Sequence, residues 1–70
     1  MTEVERLMVM RNGLVAERRA ATMNATAKRT EAIGHAERLV KYQELIEAID
    51  RAIADETRIE LAQKVETATV

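Results

Sequence analysis

A chain of 70 residues with no Cys and a single His has room for one domain and cannot use disulfides or thiolate metal sites to reinforce a thin core. Its 11 Lys/Arg against 12 Asp/Glu, net −1, leave no basic surplus for general affinity to a phosphate backbone. The one aromatic residue, Tyr42, is too little for base-stacking platforms or a deep apolar pocket.

The residues that dominate, Ala, Glu, Arg, Leu, Lys and Gln, lose little on entering a helix, and Pro is absent. The expected fold class is therefore all-α. Helical signals begin at once, since Thr2 followed by Glu5 has the spacing of a capping box. Val4, Leu7, Met8, Leu14 and Val15 recur at three- and four-residue steps, continued by Ala21, Ala25 and Ala32. In heptad terms Val4, Arg11, Arg18, Ala25 and Ala32 hold one seam position, and Leu7, Leu14, Ala21 and Lys28 the other. This pattern predicts a helix over about 2–33. Asn12-Gly13 leaves two alternatives open: a β-hairpin turn between Leu7-Met8-Val9-Met10 and Leu14-Val15, or the end of a short first helix in a three-helix chain.

Gly34-His35 separates this stripe from a second one, and Gly after a periodic segment is the usual helix terminator. The turn is expected at 34–35, followed by a helix over about 36–65. Its seam reads Leu39, Tyr42, Ile46, Ile49 and Ile53, with Leu45 beside it; further steps fall on Glu56, Glu60 and Gln63. Ile59, Leu61 and Val65 lie elsewhere on the wheel, and residues 66–70 are expected to fray. A continuous rod is the remaining alternative, because one Gly costs a helix only about 1 kcal/mol.

Folding at Gly34 pairs residues equally far from it. Leu14 and Val15 then lie near Ile53, and Ala21 and Ala25 lie opposite residues 39–46, small against large. Arg11 arrives beside Glu56 and Glu60 as candidate seam ion pairs. Charge supports an antiparallel closure: residues 1–33 carry six Lys/Arg against four Glu, net +2, and residues 34–70 carry five against eight acids, net −3. The expected architecture is one domain over 1–70, a coiled-coil-like two-helix hairpin completed by oligomerisation or by docking on a partner.

Candidate chemistry is sparse. His35 has no neighbouring nucleophile or carboxylate and reads as a turn residue near a helix end. Paired acids at Asp55-Glu56, Glu44/Glu47 and Glu56/Glu60 lack the Glu-x-x-His motif that completes bundle metal sites, so they read as a solvated or ion-paired face. No catalytic residue, cofactor or metal is expected. Arg11, Arg18, Arg19, Lys28 and Arg29 form the most basic stretch, interrupted by Glu17 and Glu31. Leu7-Met8-Val9-Met10 puts four apolar residues around a helix, so they cannot all face one neighbour. Met suits adaptable binding surfaces. The residues expected to carry the seam and the interaction are Leu7, Met8, Met10, Leu14, Leu39, Tyr42, Ile46, Ile49 and Ile53. The acidic start and the short apolar run do not make a signal peptide, and no transmembrane run is seen. A cytoplasmic location, or one inside an assembled particle, is expected.

Two resemblances follow from these segments. A first helix, a middle segment and a Leu-rich helix opening Glu37-Arg38-Leu39-Val40-Lys41-Tyr42 resemble small phage head–tail joining proteins. That family implies a β-hairpin after the first helix, and residues 22–30 lack its strand alternation. Tyr42-Gln43 before an Ala/Ile-rich helix is similar to the second helix of small co-chaperones of type III secretion needles. Neither resemblance carries a site residue to this chain. The expected function is non-enzymatic: an assembly or adaptor protein, a component or chaperone of a larger phage- or secretion-type particle, acting through association with itself or another protein. The alternative is a helical-bundle dimer that binds nucleic acid through the basic stretch.

Overall fold

Thr2 and Glu5 close the first helical turn reciprocally. The Glu5 backbone N–H donates to Thr2 Oγ1 at 3.1 Å, and the Thr2 N–H donates to Glu5 Oε1 at 3.3 Å. This is the capping box expected from the spacing, a device that satisfies two otherwise orphaned donors. Arg6 reinforces it by pairing with Glu3 and donating to the Met1 carbonyl at 3.0 Å. The computed structural model describes residues 1–27 and 32–68, and only Met1 and Thr2 among them lie outside helices. The two elements are α1 (Glu3–Ala27) and α2 (Ala32–Ala68), packed against each other as an all-α hairpin. Among the described residues there is no strand. Helix α1 runs unbroken through Asn12-Gly13, so neither the β-hairpin nor a third helix forms there.

The reversal falls between Ala27 and Ala32, not at Gly34-His35. Gly34 and His35 lie inside α2, and Gly34 has no positive φ, so it does not act as a left-handed terminator. What ends α1 is written earlier. Thr22, Asn24 and Thr26 are weak helix formers. The two Thr hydroxyls bond back to the carbonyls of Arg18 and Met23 at 3.0 and 2.9 Å, a local competition with the helix ladder. At its far end α2 is helical to Ala68, beyond the end expected at about residue 65.

Two bonds one heptad apart set the register. Arg11 Nε donates to Asp50 Oδ1 at 2.6 Å, and Arg18 Nη1 donates to Gln43 Oε1 at 2.8 Å. Seven residues up α1 match seven residues back along α2, so the helices run antiparallel in constant register. Leu14 and Val15 are therefore level with Ile46, and Leu7 is level with Ile53. The expected pairing of Leu14 and Val15 with Ile53 is corrected by one heptad. The seam itself is the expected one. Val4, Leu7, Arg11, Leu14, Arg18 and Ala25 are half-buried and Ala21 is buried. On α2 Tyr42, Ile49, Ile53, Glu56 and Glu60 are half-buried and Ile46 is buried. Lys28 lies outside the described residues, and Ala32 opens α2 instead of extending the α1 seam.

The molecule is an open rod, 63 × 17 × 10 Å. In this register Glu3 is level with residue 58, so the last ten residues of α2 run past the end of α1, about 15 Å at 1.5 Å of rise each. The two helices bury little. Among the described residues the buried apolar side chains are Ala21 and Ile46.

Two stability measurements check this architecture. Ile46 is 2% exposed, and Ile46→Ala should cost about 2–5 kcal/mol in a urea melt, with Ile49→Ala, half-buried, costing less. Gly34→Ala distinguishes a helix interior from a turn. A Cβ at Gly34 meets nothing within 4 Å, so Ala should raise stability by about 0.5–1 kcal/mol. A loss of stability would put Gly34 back at the reversal.

Candidate association surface

Closing the hairpin uses most of the residues expected to carry interaction. Leu7, Leu14, Tyr42, Ile46, Ile49 and Ile53 face the seam between α1 and α2, and Leu39 sits at its exposed edge. Met8 and Met10 do not join them. They flank the seam position of Leu7 and Arg11 on opposite sides, 49% and 56% exposed. With Val9, exposed on the outer face, they form the apolar collar that the run Leu7 to Met10 required.

The seam polar groups are arranged differently from expectation. Arg11 pairs with Asp50, and Glu56 and Glu60 are not brought to it. In the observed register Glu56 lies level with the first turn of α1, and Glu60 lies just beyond its start. Asp50 sits one step off the seam stripe, which is why spacing along the stripe did not point to it. Arg11 lays its aliphatic stem in the seam and carries its head to the flank. Arg18 does the same towards Gln43, whose Nε2 donates onward to Glu47 Oε1 at 3.3 Å. Tyr42 reaches back across the other flank, its hydroxyl donating to Glu17 Oε2 at 3.4 Å, a long and weak bond.

His35 is also placed differently. It is buried on the α2 seam seven residues before Tyr42, in a small cleft with Glu17, Ala21, Asn24 and Arg38. Ala21 leaves room for the imidazole, so His35 is a packing residue and not a turn residue. Other depressions are shallow surface clefts, among them one along Leu39, Val40 and Gln43, another along Gly34, Lys41 and Leu45, and a third along Asp55, Arg58 and Ile59. Among the described residues no group of three or more His, Asp or Glu side chains is placed to hold a metal ion. No described helix is long and apolar enough to cross a membrane.

The sequence placed Leu45 beside the seam and Ile59, Leu61 and Val65 off it, and gave them no role as a surface. Leu45 and Ile59 are 42% and 47% exposed, and Val40, Leu61 and Val65 more so. Their signal was present, since Leu45, Ala52 and Ile59 repeat every seven residues, but it lay in the shadow of the stronger isoleucine stripe. Compared with known proteins, the chain matches no family model, no curated protein and no solved structure.

The Arg11–Asp50 pair is half-exposed, so a double-mutant cycle with Arg11→Ala and Asp50→Ala should give a coupling of about 0.2–1 kcal/mol. The coupling should shrink as salt rises. The cycle with Glu56→Ala should give none. Coupling to Glu56 in place of Asp50 would return the hairpin to the other register.

Proposed function

We propose that this chain is a non-enzymatic assembly or adaptor protein that works by associating with protein, as a subunit or chaperone of a larger particle. The observation that carries the reading is the imbalance between core and surface. Two described apolar residues are buried, while Met8, Val9, Met10, Val40, Leu45 and Ile59 stand at least 40% exposed on a hairpin that cannot turn them inward. Apolar side chains left exposed in this number, beyond single scattered residues, are the mark of an interaction site in a stable protein. Covering it would also supply the stability that a two-helix core lacks.

The positions of the arginines favour protein over nucleic acid. Arg11 pairs with Asp50 and Arg18 donates to Gln43, so both heads are already engaged within the hairpin. Lys28 and Arg29 lie outside the described residues. The site of action consistent with this reading is the cytoplasm or the interior of a particle assembled there.

Native size in an extract of the producing cells tests the reading. A tagged chain should travel in fractions well above its 7.9 kDa, and nuclease treatment should leave that size unchanged. Migration as a lone folded chain would overturn the association reading. Collapse of a large species under nuclease would replace it with the nucleic-acid reading.

A further inference from the structure

The flank of α2 beside the seam, exposed at Leu45 and Ile59 and half-buried at Ala52, has an order of its own. Leu45, Ala52 and Ile59 fall seven residues apart, one step round the helix from the seam. The matching flank of α1 is identified by the cleft in which Glu17 and Asn24 meet Arg38. Met10 lies seven residues before Glu17, so it belongs to the same flank. The register places it level with Ala52, at the middle of the stripe.

The chain exposes 5679 Å², whereas a compact protein of its mass exposes about 4400 Å². The open hairpin therefore carries roughly 1300 Å² more surface than a compact fold of its mass, more than the about 800 Å² per partner of a standard interface.

The stripe is also complementary to itself. A two-fold axis through Ala52, with the α2 helices antiparallel, sets Ala52 against its own copy and Leu45 against the partner's Ile59. The same operation sets Arg38 against the partner's Glu66, opposite charges at the two ends of the row. The ten residues of α2 that overrun α1 then lie along the start of the partner's α2, so the segment uncovered by its own chain is covered by the second. An isologous contact requires this reciprocity, residue i meeting j and j meeting i.

We infer that the chain is a two-fold homodimer in which two α2 helices pack antiparallel through the Leu45–Ala52–Ile59 stripe. This deepens the association reading and rests on it: the partner is a second copy.

Light scattering on the purified chain should give the mass of two copies. A folded species of one copy would overturn the dimer and leave association with a different protein to the extract measurement. Paired substitutions then locate the face. L45E/I59E sets like charges against each other across the axis and should yield one-copy mass with helicity kept. L45K/I59E sets Lys against Glu on both sides and should restore two. A helical L45E/I59E variant that remains a dimer would reject this face. Spin labels on the otherwise unchanged protein keep the test independent of those variants. Arg51 and Glu37 lie on one helix face, near to and far from the axis. Labels at Arg51 should lie within about 20 Å between chains, and labels at Glu37 about 45 Å apart from rise alone. Equal separations at the two sites would overturn the antiparallel two-fold arrangement.

Discussion

Two helices packed together can hide only one stripe of each, and every other feature of this protein follows from that limit. The stripe on α2 is apolar from Tyr42 to Ile53, with Ile46 at its deepest point. The stripe on α1 alternates leucine and alanine with Arg11 and Arg18. Arginine fits such a position because its stem can be covered while its head stays wet. The closure is thus sealed by alkyl chains whose charged ends emerge at Asp50 and Gln43. It is stable enough to define a register and too thin to absorb the remaining apolar residues. The collar at Met8 to Met10 and the flank at Leu45 and Ile59 are what is left over.

The parts of the fold legible in the sequence were those encoded locally. The capping box at Thr2 and Glu5 and the two seams follow from spacing within one helix, and the antiparallel closure follows from the presence of two such stripes in one chain. The reversal was not legible, and the error has a physical form. The pairing expected from a turn at Gly34 differs from the observed one by about seven residues, one heptad. A heptad stripe looks the same after sliding by its own repeat, so amphipathic pattern alone cannot choose among such registers. What chooses is the identity of the groups that meet. The observed register sets Leu14 and Val15 against Ile46, and it gives Arg11 an acid and Arg18 an amide. A Gly in mid-helix is a cost of about 1 kcal/mol, small beside that alignment.

The candidate surface divides in the same way. Met8 and Met10 were visible because four consecutive apolar residues cannot share one face. Leu45 and Ile59 were seen off the seam but not as a row of their own, because a neighbouring stripe of isoleucines accounted for the helix without them. Nor does the opposite charge of the two halves set the pairing. Exposed charges more than a Debye length of about 8 Å apart are largely screened at physiological salt. The imbalance favours closure in general, and the short-range bonds at Arg11 and Arg18 select its register.

The overrun of α2 gives the molecule a cantilever. Its last ten residues, down to Ala68, have no helix of their own chain beneath them. An isolated helix shorter than about 12–15 residues is marginal in water, so this arm holds its shape only through continuity with the packed part of α2. Its stiffness is therefore conditional. In a lone hairpin it is the first segment to melt and the easiest for a protease to enter, and under a covering surface it becomes a strut. The order of that arm is a gauge of whether the hairpin is alone.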